Sequence, residues 1–180
     1  AYICCTSANA VDVVRSLDLR EIIFVPDSNL GEYVRSRVPE KTIHLWPGYC
    51  HVHQDITVDQ ILEIKKTNPD AAVMVHPECT MDVIEIADEV ASTEGMIEFA
   101  RGSEHTSFIV GTEEGLVHRL KREVLGKKFL KIGDAVCGNM KKITLNDVWR
   151  SLETMGPQVH LDPDIIEKNK KPLERMLEIV

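Results

Sequence analysis

Short apolar runs that break off into polar clusters recur six times along this 180-residue chain. ICC runs into Thr6-Ser7-Ala8-Asn9, IIFV into Pro26-Asp27-Ser28-Asn29, and IHLW into Pro47-Gly48-Tyr49-Cys50. VMV then runs into His76-Pro77-Glu78-Cys79, VA into Ser92-Thr93-Glu94-Gly95, and FIV into Gly111-Thr112-Glu113-Glu114-Gly115. Runs this short and unbroken suit strands buried on both faces, the condition of a parallel sheet. In open parallel α/β sheets ligands bind in the crevice at the carboxyl ends of the strands, so six polar strand ends point to an enzyme.

The intervening periodicity supports the same reading. Strands are expected at residues 2–5, 22–25, 42–46, 72–75, 89–91 and 107–110, with helices between them. Asn9 is placed to cap a helix to about residue 16, and Ser28 or Asn29 one that stops before Pro39. Thr57 and Gln60 have capping-box spacing ahead of the stripe Ile61, Leu62, Ile64. Further helices are expected at 81–87, 96–101 and 115–120. After residues 128–130 the pattern changes to a loop containing Cys137, then to a helix opened by Thr144 and a long amphipathic one headed by Pro163. Strand–helix–strand alternation demands parallel pairing through crossovers, hence three-layer α/β/α units. PDSNLGEYV and PGYCHVHQD share a shape, which hints at two copies of one small α/β unit with a boundary near residues 54–59.

Composition narrows the function. A net charge of −8 with scattered Lys and Arg argues against a nucleic-acid partner. No run is long enough for a membrane span and no signal peptide opens the chain, so a cytoplasmic location is expected. Five cysteines in such a setting read as reduced, ligating or catalytic rather than disulfide-bonded. The first residues read as strand interior, so the chain is expected to be a piece of something longer.

Chemistry concentrates on two of the strand ends. Cys50-His51-Val52-His53 puts a thiol and imidazoles where a metal could be reached. His76 and Glu78 flank Pro77, which stiffens the turn, and can act as an acid/base pair. Cys79 follows at once, and Cys137 lies in a loop suited to closing over a site. Thiols in separate segments match no compact zinc or ferredoxin spacing, so spacing alone leaves a metal site open. Ser7, Ser92 and Thr93, each just ahead of a helix amino terminus, suit phosphate or carboxylate groups, although such residues are usually only caps. Two other readings follow from the same residues. One is a cluster-free α/β module that binds a small phosphorylated metabolite through Ser7 and Thr93. The other is a zinc-dependent hydrolase or aldolase using His53, His76 and Cys79.

The segments TSANAV, PDSNLGEYV, WPGYCHVH, EIKKTNPDAAVMVHPEC, ADEVASTEGMI, GTEEGLVHRL and CGNMKKITLNDVWRSLE, in that order, resemble the carboxyl-terminal three-fifths of the quinolinate synthase (NadA) family. HPEC and CGNMKKIT are the specific ones. The resemblance implies three similar α/β/α units around a pseudo-threefold axis, with a 4Fe-4S cluster held by three cysteines and one iron left open. It implies a condensing and dehydrating transferase that joins iminoaspartate and dihydroxyacetone phosphate into quinolinate for NAD biosynthesis.

Residue by residue, the resemblance makes Cys50 and Cys137 cluster ligands, with the third cysteine upstream of Ala1. Glu78, His76 and His53 become catalytic residues. Ser7, Asn9, His76, Pro77, Glu78, Ser92 and Thr93 become substrate contacts, and Cys79 is left structural or redox-sensitive. It divides the chain into residues 1–53, the remainder of the second unit, residues 54–133, the third unit, and residues 134–180, the cluster-ligand loop and carboxyl-terminal helices. Iminoaspartate would come from an oxidase or dehydrogenase partner, and the chain alone is expected to be inactive.

Overall fold

The computed structural model describes residues 1–179; Val180, the last residue of the expected segment 134–180, lies outside them. Two compact units are present: residues 6–136, and residues 1–5 together with the segment from Cys137 onward.

The larger unit alternates helix and strand as α1 (Ala10–Ser16), β1 (Glu21–Phe24), α2 (Ser28–Arg37), β2 (Thr42–Leu45), α3 (His51–Gln54), α4 (Val58–Thr67) and β3 (Ala72–Val75). It continues through α5 (Met81–Glu85), β4 (Glu89–Val90), α6 (Thr93–Gly102), β5 (Ser107–Gly111), α7 (Gly115–Glu123) and β6 (Lys128–Lys131). All pairing is parallel. β1 pairs with β2, while a second sheet runs β4-β3-β5-β6. The architecture is therefore the expected α/β one, with short parallel sheets and helices packed on them.

β3 is buried at all four positions, as its unbroken Ala-Val-Met-Val sequence requires. Its neighbour β5 contributes Phe108 and Val110 to a core completed by Met74 of β3, Met96 and Ile97 of α6, Leu120 of α7 and Phe129 of β6. Phe108 is the hub of that core. Its ring stacks on Phe129 with centroids 5.5 Å apart and meets Phe99 edge-on at 6.0 Å.

β3 and β5 approach closely at their carboxyl ends because residue 111 is glycine. A Cβ there would stand 2.7 Å from Val75 Cγ1, with no room to yield toward the paired strand. Gly95 serves α6 in the same way, since a Cβ would come within 2.9 Å of Ala91 Cβ.

Several helix starts differ from the sequence reading by one side chain. α2 is capped by Asp27, whose Oδ1 accepts from Leu30 N at 2.8 Å, and not by Ser28 or Asn29, which already lie in its first turn. Asn29 instead donates from Nδ2 to Gln54 Oε1 at 2.9 Å. Asn9 holds the N-cap position of α1 but makes no side-chain cap bond, its Oδ1 accepting from Thr6 N at 2.7 Å. Ser92 caps α6, with Oγ accepting from Gly95 N at 3.2 Å, so that helix starts earlier than residue 96. The Thr57–Gln60 capping box is formed. β6 was not anticipated as a strand; it pairs with β5 from Ser107↔Lys128 to Val110↔Lys131.

In the smaller unit, a 3-10 turn (Met140–Lys142) precedes α8 (Leu145–Thr154) and α9 (Pro163–Leu177). Thr144 and Asp147 cap α8 reciprocally. Residues 2–5 are not a strand, contrary to the sequence reading. Their backbone is committed elsewhere: Cys4 N donates to Pro172 O of α9 at 3.0 Å, and Arg175 donates to Tyr2 O at 2.6 Å while lying over the Tyr2 ring. An amide paired with a helix carbonyl is not available to a sheet ladder.

Truncating the hub tests this packing. Phe108→Ala should lower the unfolding free energy by about 3–5 kcal/mol in urea denaturation. A loss below about 1 kcal/mol would mean that the core is not organised around this ring.

Candidate active site

β3 and β5 run side by side with Val75 opposite Gly111, so the residues that follow them emerge together. His76 N donates to Gly111 O at 3.0 Å, which carries the pairing one residue past the strands. His76 and Glu78 leave from one strand and Thr112 from the other. α3 supplies the third side. Cys50 is its N-cap and His53 lies three residues later, so thiol and imidazole share one face of a single helical turn.

His53 is the centre of the cluster. Its Nδ1 lies 3.0 Å from Glu78 Oε2 and its Nε2 lies 2.8 Å from Thr112 Oγ1. The His76 ring stacks on it with centroids 4.4 Å apart and planes 13° from parallel. Glu78 N donates to His76 Nδ1 at 3.3 Å, which keeps that nitrogen an acceptor. Asp27 holds the other side, its Oδ2 accepting from Cys50 N at 2.8 Å while its Oδ1 caps α2. One carboxylate thus ties the second helix to the thiol-bearing turn.

Taken together, burial and neighbours lower both groups, which leaves one neutral and the other charged. Burial, reinforced by the neighbouring His53, lowers His76 to about 4, so its imidazole is neutral at ordinary pH. Glu78 is held below the usual glutamate range, chiefly by its hydrogen bond with His53, against a smaller upward push from burial. A neutral imidazole packed beside an ionised carboxylate is an arrangement that can take up and return a proton.

The cysteines divide by burial. Cys79 is fully buried and donates its thiol to Gly111 O at 3.5 Å, and burial pushes it up to about 12. That thiol is a packing group and no ligand, which removes Cys79 from the zinc set of His53, His76 and Cys79. The donor atoms that do converge belong to Cys50, His53 and Glu78, within 4.8 Å of one another. Cys137 lies in the smaller unit, ahead of the 3-10 turn, with Lys141 N donating to its carbonyl at 3.1 Å.

The expected substrate contacts separate into two groups. His76 and Glu78 belong to the cluster just described. Ser7, Pro77 and Ser92 line a cleft of about 830 Å³ that also receives Arg15 and Arg37. Arg15 is paired with Asp12 at 3.2 Å. Asn9 and Thr93 are not among the cleft's lining residues; Asn9 is turned toward Thr6, and Thr93 opens α6. Two site residues escaped the sequence reading, Thr112 and Asp27. Both sit in the polar strand-end clusters, but only the β3–β5 register and the return of α3 reveal what they touch.

The His76 shift has a sign that can be tested. An unfolded imidazole takes up its proton near 6.5 and the folded one only near 4, so the unfolded chain gains protons first as pH falls. The stability contributed by neutral His76 is complete above about 6.5 and is lost toward pH 4, by at most about 3 kcal/mol. Urea denaturation at pH 7 and pH 5 should show a larger acid loss for the native chain than for His76→Asn. Equal losses would contradict the assignment.

An all-parallel α/β scaffold with a thiol, two imidazoles and a carboxylate gathered at adjacent strand ends defines the chain as an α/β protein with an active-site type of cluster. Comparison with known proteins gives the family. A family model described as "Quinolinate synthetase A protein" (NadA) matches residues 1–178, and the chain belongs to that family. "Quinolinate synthase 2" of Methanosarcina acetivorans is 48% identical over 178 residues, covering 98% of this chain and 57% of that protein. "Quinolinate synthase" of Geobacter sp. strain M21 is 47% identical over 98% of this chain and 58% of its own length. The protein of the same name from Thermodesulfovibrio yellowstonii is 45% identical over 100% of this chain and 60% of its own. The chain thus spans somewhat under two-thirds of these relatives. Among the described residues no helix is long and apolar enough to cross a membrane.

Proposed function

We propose that this chain is the carboxyl-terminal portion of a quinolinate synthase, which condenses iminoaspartate with dihydroxyacetone phosphate and dehydrates the product to quinolinate for NAD biosynthesis. The observation that carries the reading is the part-buried His53–Glu78 pair at 3.0 Å beside the Cys50 thiol, in a chain of this family.

The cofactor would be a 4Fe-4S cluster held by Cys50, Cys137 and a third cysteine upstream of residue 1. The chain's own thiols are compatible with that. Cys50 and Cys137 are both half-buried in non-strand backbone, whereas Cys79 is too deeply buried to ionise readily. The bound cluster would supply Lewis-acid polarisation of substrate oxygens at its open iron.

The remaining work falls to side chains. Glu78 acts as the acid/base, accepting a proton during condensation and returning it during dehydration. His53, fixed between Thr112 and Glu78, orients that carboxylate and presents its imidazole as a proton donor or phosphate contact. Neutral His76 binds substrate through hydrogen bonding. Pro77 holds the turn rigid, and Ser7, Asn9, Ser92 and Thr93 grip carboxylate or phosphate oxygens. In this reading residues 1–53 finish the second α/β unit of a pseudo-threefold assembly, residues 54–133 form the third, and residues 134–180 carry the cluster loop and closing helices. The enzyme works in the cytoplasm and receives iminoaspartate from an oxidase or dehydrogenase.

The experiment prepares the chain without oxygen, alone and extended at its amino terminus to the length of its relatives. The extended protein should hold about four iron and four sulfide and form quinolinate, while the 180-residue chain holds little of either and is inactive. Glu78→Gln in the extended protein should keep the iron and lose at least about a hundredfold in rate. An extended protein without iron, or an undiminished Glu78→Gln rate, would overturn the proposal.

A further inference from the structure

We propose that Cys50, His53 and Glu78 form a mononuclear site for a thiophilic divalent cation such as Zn²⁺, a site that makes no use of Cys137. The three donor atoms already lie within 4.8 Å of one another. In a tetrahedral zinc site, with bonds of about 2.0–2.3 Å, neighbouring ligand atoms stand roughly 3.3–3.8 Å apart. The approach still required is about 1 Å, within reach of a rotation of the half-buried Cys50 side chain.

The ligands are held in a way that suits a metal. Cys50 and His53 project from one turn of α3, and the amide of Cys50 is pinned by Asp27. His53 can donate its Nε2 proton to Thr112 Oγ1 across 2.8 Å, the tautomer that leaves the Nδ1 lone pair facing Glu78. The short Nδ1–Glu78 contact, bridged by a proton in the metal-free chain, then becomes the edge of a coordination shell. Glu78 follows rigid Pro77, and its amide is fixed on His76 Nδ1. His76 is engaged by that amide and stays outside the ligand set.

Thiolate with imidazole selects Zn²⁺ or Co²⁺ over Mg²⁺ and Ca²⁺. Binding exchanges the Cys50 thiol proton for the metal–sulfur bond and releases that proton to solvent. The proton between His53 Nδ1 and Glu78 gives way to the metal as Nε2, facing Thr112, takes up one in exchange, so the imidazole stays neutral. Three protein ligands leave a fourth position for water. On the proposed function Cys50 is also a cluster ligand, so a zinc-loaded chain cannot give it to the cluster, and zinc blocks cluster assembly by occupying one of its thiols.

The test is a Co²⁺ titration of the reduced 180-residue chain without oxygen. One equivalent should produce a thiolate-to-cobalt charge-transfer band and the visible bands of a four-coordinate ion, both abolished by added Zn²⁺. Cys50→Ser and Glu78→Gln should lose the site, Cys137→Ser should keep it, and Thr112→Val should weaken it about tenfold. Should Cys50→Ser fail to fold by circular dichroism, alkylation of the native chain decides, with Zn²⁺ slowing the modification of Cys50 and not of Cys137. Absent cobalt bands, their loss in Cys137→Ser, or unprotected Cys50 would overturn the proposal. The iron content of the extended protein does not enter this readout, so failure of the cluster reading and failure of this site are separately visible.

Discussion

The pairing of β3 with β5 governs what this chain can do. With Val75 opposite Gly111 and the His76 amide bonded to the Gly111 carbonyl, the two strands end level with each other and within one side-chain length. Gly111 makes that closeness possible, because any Cβ there would strike Val75. From this one register follow the positions of His76 and Glu78 on one strand end and Thr112 on the other, and α3 needs only to lay His53 between them. The aromatic core around Phe108 lies beneath the same pair of strands, so packing energy and site geometry share one element. A shift of the pairing by a single residue would turn the core faces outward and dismantle the cluster together.

Much of this was legible in the sequence because parallel strands announce themselves. The unbroken apolar runs at β3 and β5 have no solvent face to mark with polar residues, and the polar clusters after them mark strand ends. The Thr57–Gln60 box was equally readable, since its spacing is local. What failed was non-local. Residues 2–5 carry a strand-like pattern, yet the Cys4 amide goes to the carbonyl of Pro172, more than 160 residues away in the chain. Thr112 stands in the sequence only as part of a polar strand-end cluster, and it is the register that sets it against His53. Asp27 lost the cap of α2 to its neighbours Ser28 and Asn29 in a composition-based reading, because all three are good caps and only backbone geometry chooses among them.

Burial sorts the thiols where spacing could not. Cys79 stands beside Glu78 in the chain, and the sequence left it either a zinc ligand with His53 and His76 or, by the resemblance, structural or redox-sensitive. The fold sends the two side chains apart, with the thiol buried against a strand carbonyl and the carboxylate at the cluster. Cys50, three residues before His53, is the thiol that meets the acid and the imidazole. A soft sulfur, an imidazole held between two oxygen partners and an ionised carboxylate together make the set of donors that a metal would use.

The account stands on the contact between His53 and Glu78, and a double-mutant cycle measures it directly. Unfolding free energies of the native chain, His53→Gln, Glu78→Gln and the double variant at neutral pH should yield a coupling of about 1 kcal/mol or more. Single effects that add to within about 0.3 kcal/mol would mean that the two side chains do not meet, and the site built around them would fall with that result.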